Sequence, residues 1–218
     1  MEKSVRDLNV EQSVKLISIT PDAEKTMAYC ARVSSPHQEK EEYAGLFRYC
    51  LQHGHWSVFE MANMVVEITT SRAISAQILR HRSFNFEEFS QRYAALVSDN
   101  VIMYPARRQD SKNRQSSIDD ISEDIQQEWT KRQQENWKSA FEHYQWALDQ
   151  GIAKECARMV LPLQTQTKLY MNGSIRSWIH YLQLRTGHGT QQEHMDIARE
   201  IQAIFCLRLP TIAEALGW

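Results

Sequence analysis

The chain has 218 residues, 42% of them hydrophobic and 24% charged, with a formal net charge of −2. That size and balance describe a globular chain able to bury a core, and exclude a disordered one. The near-neutral charge gives no basic field for a nucleic-acid polymer, although a small anion needs only a local arginine cluster.

Met1 to Val10 is charged and has no apolar core, so no signal peptide is expected there. No window holds the roughly 20 apolar residues of a membrane span. Cys30, Cys50, Cys156 and Cys206 form no C-x-x-C pair, which reads as reduced, mostly buried thiols in a cytoplasmic protein. Ser13 to Ile19 alternates apolar positions and predicts a strand. Pro21 and Asp22 open a helix to about Val33, and a second runs from Glu39 to Gln52, stopped by Gly54. Phe59 to Thr70 predicts a strand. Ser71 then caps a helix over Arg72 to Arg80. Ser83 to Tyr93 has no clear period and reads as a loop, and Asp99 to Asp120 as a mobile or inserted segment.

A long helix is expected from Ile121 to Gln150. Its apolar stripe is Ile121, Ile125, Trp129, Trp137, Phe141, Tyr144 and Leu148, a core or oligomer face. A short helix covers Lys154 to Val160, with Pro162 as its stop, and Thr165 to Met171 has strand character. Helices over Ser174 to Leu184 and Thr190 to Leu207 close the chain. The expected fold is α+β: one domain over residues 1–218, a small mixed or antiparallel sheet and a majority of helices.

The densest candidate site is Arg80-His81-Arg82-Ser83-Phe84-Asn85-Phe86-Glu87-Glu88-Phe89-Ser90-Gln91-Arg92-Tyr93. Successive helical residues point about 100° apart, so Arg80, His81 and Arg82 suit a helix end where each addresses a different group. Gln77 and Arg80, three apart, share a helical face. Ser90 and Arg92 point the same way if the chain is extended there. Arginine presents a planar fork of donors suited to phosphate. An isolated Arg-His-Arg is more simply a solvated basic helix end.

The longer string carries more. Arg80-His81-Arg82, seven residues and Ser90 resemble the R-H-R-x7-S motif of flavin-dependent thymidylate synthases. Ala31-Arg32-Val33-Ser34 and His55-Trp56-Ser57-Val58-Phe59-Glu60 resemble two further family segments, the latter its H-x-[ST]-x-x-E. Ala157-Arg158-Met159-Val160-Leu161-Pro162 is similar to A-R-x-x-L-P, and Arg176-Ser177-Trp178 with Leu182-Gln183-Leu184-Arg185 to the R-S…L-R block.

The resemblance implies methylation of dUMP to dTMP, with methylenetetrahydrofolate as one-carbon donor and FADH2, renewed by NADPH, as hydride source. It implies that Gln77, Arg80, Glu88, Ser90, Arg92, Arg158 and Arg185 bind dUMP, and that Arg185 also stabilises negative charge developing on the pyrimidine. Ser57, Arg80, His81, Arg82, Glu88, Ser174, Arg176 and His180 would contact FAD, with His55 near the isoalloxazine or the folate. Many relatives carry Asn at the places of Ser174 and His180. A homotetramer with sites shared between subunits is implied as well.

Arg176 and His180, four apart, share a helical face on spacing alone. With no base beside it, Ser90 reads as a binder rather than a nucleophile. Cys156 reads as a packed thiol. Rival readings are a metal enzyme using His53, His55, His188 and His194, a nucleotide- or RNA-binding module without catalysis, and a helical interaction module. No metal site is expected, because no H-E-x-x-H occurs.

Overall fold

The computed structural model describes residues 12–98 and 100–218. Residues 1–11, where no signal peptide is expected, lie outside the described residues, as does Asp99. Four strands form one sheet in the order β1-β2-β6-β3: β1 Ser13–Ile19, β2 Asn63–Ser71, β3 Asn85–Glu88 and β6 Gln166–Ser174. In β2 the buried side chains Met64, Val66, Ile68 and Thr70 recur every second residue, the signature of a strand with one face on a core. β6 does the same with Thr167, Leu169, Met171 and Gly173.

The described chain folds as two compact units, and β2 and β6 contribute residues to both. The first comprises residues 12 and 13, Thr69–Ile78 and Glu88–Leu169. It holds α3 (Arg72–Ile78), α4 (Glu123–Asp149) and α5 (Lys154–Ala157). Its core is Leu96, Tyr144, Ala147 and Ala157, with Phe141, Leu148 and Leu161 against it. The long helix is confirmed, but its stripe is only half core. Trp137 and Tyr144 are buried, whereas Ile125 and Trp129 are 50% and 43% exposed. In their place a polar residue faces inward. The Gln133 amide accepts from Tyr104 N at 3.1 Å and donates to Tyr104 O at 2.9 Å.

The segment expected to be mobile or inserted contains a short hairpin, β4 (Arg108–Gln109) antiparallel to β5 (Ser117–Ile118). Asp110 Oδ1 closes its turn by accepting from the amides of Lys112 and Asn113, which holds that carboxyl below the usual range.

The second unit comprises Val14–Ile68, Leu79–Glu87 and Tyr170–Trp218. It carries α1 (Ala23–Ala31), α2 (Ala44–Gln52), a 3-10 turn at Trp56–Glu60, α6 (Ile175–Arg185), α7 (Gln192–Arg208) and α8 (Pro210–Leu216). α2 packs on α8, and α6 on α7 and the 3-10 turn. Trp178, Tyr181, Phe47, Phe59 and Phe205 are its largest buried aromatics. Trp178 Nε1 donates to Met64 O at 3.0 Å, giving the indole the partner burial demands.

Four sequence expectations change here. The loop over Ser83 to Tyr93 contains β3, because Asn85–Glu88 pairs with a neighbouring strand that local pattern does not reveal. The helix expected from Glu39 begins only at Ala44, and Trp56–Glu60 forms a 3-10 turn, so the strand expected from Phe59 begins only at Asn63. The chain ends in a further helix, α8, with Pro210 at its start, where its missing N–H costs nothing. The buried Glu24 carboxylate accepts from Ile212 N at 2.9 Å and Thr211 Oγ1 at 2.7 Å, supplying that helix with a side-chain cap. Among the described residues no helix is long and apolar enough to cross a membrane.

Candidate active site

In the second unit, residues implied to hold flavin converge on α6 and the segment after α3. Arg185, the last residue of α6, donates from Nε to His81 Nε2 at 2.9 Å. A guanidinium has no acceptor, so His81 Nε2 must present a lone pair and the ring is neutral with its proton on Nδ1. Burial, then the nearby Arg185 charge, pushes the His81 pKa down to about 4, which agrees with a neutral ring. The ring stands edge-on to Phe84 and to Tyr181, at centroid distances of 6.5 and 4.8 Å. Beneath it the Tyr181 hydroxyl and His194 Nε2 lie 3.0 Å apart, both side chains buried. Burial raises the Tyr181 pKa and lowers that of His194 to about 3, with Arg185 and His81 contributing further to the latter.

Arg80 and Arg82 are exposed, and neither pairs with a carboxylate among the described residues. α3 ends at Ile78, so Gln77 and Arg80 do not share a continuous helical face as their spacing suggested. The Arg176 guanidinium meets Glu60 at 2.6 Å, which joins the R-S block to the last residue of the H-x-[ST]-x-x-E element. His180, one turn on, stacks at a tilt against Trp56 with centroids 4.4 Å apart. Burial first, and Arg176 second, lower its pKa. Ser57 is exposed within the 3-10 turn and His55 directly precedes it. Ser174 caps α6, its Oγ accepting from Ser177 N at 3.3 Å, so this hydroxyl already has a structural duty.

These groups fit a flavin dinucleotide. Two exposed arginines free of carboxylates suit a pyrophosphate, and a neutral imidazole and an indole–imidazole pair suit aromatic and hydrogen-bonding contact.

The first unit carries Gln77, Glu88, Ser90, Arg92 and Arg158 of the residues implied to bind dUMP. Ser90 does not lie on an extended stretch with Arg92. Its carbonyl accepts from Tyr93 N and Ala94 N, making a turn, and its Oγ accepts from Arg92 N at 3.3 Å. Arg92 Nε meets Glu155 at 3.1 Å and Arg158 Nε donates to the Glu155 carbonyl at 3.4 Å, so both cations stand beside α5. Gln77 is half-buried on α3. Glu88 is implied to bind dUMP and FAD, and its carboxylate is held by protein: Oε1 accepts from Ser75 Oγ at 2.5 Å and Thr167 Oγ1 at 3.0 Å, and Oε2 meets Arg72 at 3.0 Å.

Cys156 is exposed rather than packed, and of the four thiols only Cys50 is buried. His53 and His55 have ring centroids 6.1 Å apart, and no group of three His, Cys, Asp or Glu placed to hold a metal occurs among the described residues. Sequence reasoning missed Arg72, Trp56 and the Tyr181–His194 pair, since each acts through neighbours distant in the chain.

Arginines on both units and a histidine held neutral by an arginine are groups suited in chemistry to the anionic and ring portions of nucleotides. The model of the family described as thymidylate synthase complementing protein matches residues 15–211. A flavin-dependent thymidylate synthase of Synechocystis sp. is 52% identical over 195 residues, 89% of this chain and 90% of that one. A probable flavin-dependent thymidylate synthase of Paramecium bursaria Chlorella virus 1 is 50% identical, covering 94% of this chain and 99% of that one. Among solved structures, the UMP/dUMP methylase PolB from Streptomyces cacaoi bound with 5-Br dUMP superposes with a TM-score of 0.84, at 26% identity over 96% of each chain. This chain belongs to the flavin-dependent thymidylate synthase family. It is an enzyme and a flavoprotein, which sets aside the reading as a module without catalysis.

Proposed function

We propose that this enzyme converts dUMP to dTMP, taking a one-carbon unit from 5,10-methylenetetrahydrofolate. The single observation that carries the mechanism is the Arg185–His81 hydrogen bond of 2.9 Å. It turns Arg185 into a fixed cation, and a fixed cation stabilises charge developing on a pyrimidine without reorganising during the reaction. Bound FAD supplies, in its reduced form renewed by NADPH, the hydride that completes the methyl group. Arg80, Arg82 and Arg176 hold its anionic portion, Ser57 and Ser174 offer hydroxyls, and His55, His81 and His180 face its aromatic part or the folate. Arg92, Arg158 and Ser90 bind the substrate phosphate, with Gln77 and Arg80 completing the nucleotide contacts. Glu88 serves by holding the segment that carries Ser90.

No cysteine acts as nucleophile in this scheme, and Ser90 binds rather than attacks. The unit of function is the whole chain as one domain, in a cytoplasmic homotetramer whose sites draw on more than one subunit.

The test is the absorbance of the purified protein, before and after anaerobic NADPH with dUMP, followed by a dTMP assay. A flavin spectrum that bleaches, with dTMP formed by Cys156→Ser as by the unaltered protein, is expected. A Ser90→Ala enzyme that binds dUMP normally yet makes no dTMP would refute the binding role of Ser90.

A further inference from the structure

Arg72 opens α3 directly after β2, and its side chain is 23% exposed. None of the motifs that identify the family includes it. Sinking a guanidinium this far costs desolvation, so its partners must offset that loss. Nη1 meets Glu88 Oε2 at 3.0 Å, and Nη2 donates to the carbonyl of Phe89 at 2.7 Å. The fork therefore grips two consecutive residues, one by side chain and one by main chain. Glu88 is held from its other oxygen by Ser75 and Thr167, and the amide of Phe89 donates to Lys168 O at 2.8 Å. Residues 88 and 89 are thus clamped by α3 on one side and β6 on the other. The next residue is Ser90, where the chain turns toward Arg92.

We propose that Arg72 is a positioning residue for substrate binding: it fixes the turn that presents Ser90 and Arg92 to the nucleotide phosphate, without touching the nucleotide itself. The inference rests on the proposed reading of Ser90, Arg92 and Arg158 as phosphate ligands. Paired with Glu88, Arg72 adds no net charge to that region beyond a repulsion with the nearby Arg158, so its contribution to binding is placement. Lysine keeps the charge but has no planar fork, and cannot hold a carboxylate and a carbonyl in the same fixed geometry. Placement of a ligand-binding turn affects dUMP affinity, whereas flavin content depends on residues of the other unit.

The experiment measures dUMP binding to the flavin-loaded enzyme by calorimetry, together with dUMP KM and kcat, for Arg72→Lys and Arg72→Met. The expected result is dUMP binding weakened about tenfold in Arg72→Lys, as for loss of one charge-assisted hydrogen bond, and more in Arg72→Met. kcat at saturating dUMP and flavin content should stay close to those of the unaltered enzyme. Thr167→Val removes one donor from Glu88 without burying a new charge, and should weaken dUMP binding about threefold even if Arg72→Met does not fold. Native dUMP affinity in Arg72→Lys and Thr167→Val, with affinity lost in Arg158→Ala, would overturn the clamp and leave the phosphate site standing. Native affinity in Arg158→Ala and Arg92→Ala would overturn the phosphate reading and the clamp with it.

Discussion

Substituting Gly173 by alanine tests how the Arg80–Arg82 segment is anchored. Gly173 lies in β6, and a Cβ there would sit 2.5 Å from both Cδ1 and Cε1 of Phe84. Carbon atoms pack at about 3.5–4.0 Å, so the overlap is about 1 Å. Phe84 cannot simply retreat. It is 6% exposed, with its edge against Trp178 at a centroid distance of 4.7 Å and Tyr181 at 5.8 Å, both of them buried. Overpacking of this kind costs about 1–3 kcal/mol, and the rigid neighbours place Gly173→Ala at the upper end. For a chain of this length that lowers the melting temperature by roughly 6–12 °C. Because Phe84 follows Arg82 by two residues, displacing its ring shifts the arginines proposed to hold flavin, and flavin content should fall with stability. Urea unfolding followed by circular dichroism, with flavin measured per protein, reads both. Phe84→Leu frees the space, so the double variant should recover at least about 1 kcal/mol of the sum of the single losses. Strict additivity, or a Gly173→Ala protein as stable as its parent, would refute the steric reasoning.

The buried His194 makes stability sensitive to acid. Its pKa in the folded chain, about 3, lies below the unfolded value of roughly 6.5, so its contribution is complete above pH 6.5 and is lost as pH falls toward 3. Between pH 6.5 and 4.5 the loss from His194 is roughly 2 kcal/mol, and denaturant titrations of His194→Gln across that range should give a shallower slope. His81 acts in the same direction from pH 6.5 to about 4, less strongly because it meets solvent. Trp178→Phe leaves the Met64 carbonyl without its indole donor and should cost about 1–3 kcal/mol in chemical denaturation. The Arg176–Glu60 pair is about 40% exposed, so a double-mutant cycle should find no more than about 1 kcal/mol of coupling in stability. Flavin affinity should nevertheless fall in Arg176→Ala, and flavin retained at native affinity would contradict the proposed role of that arginine.

The elements most legible in the sequence are those whose cause is local. Ser13–Ile19 alternates and is a strand, Ser71 precedes α3 and reaches Ile74 N with its hydroxyl, and Gly151 follows the end of α4 with φ +77°. The R-H-R-x7-S string and its companions are likewise legible in the sequence, because they are patterns of residue identity. Distance along the chain is where such reading stops. Arg185 and His81 are 104 residues apart, Arg176 and Glu60 are 116 apart, and no periodicity says that either pair meets. Glu88 offers a carboxylate that the sequence assigns to a ligand, and only the packing of α3 and β6 around it commits that group to Arg72, Ser75 and Thr167. The half-exposed stripe of α4, the strand Asn85–Glu88 and the neutral state of His81 were decided in the same way. Local sequence specifies which backbone conformations and residue types are available. Burial, hydrogen-bond partners and charge state depend on neighbours brought together by folding, and those belong to the tertiary structure alone.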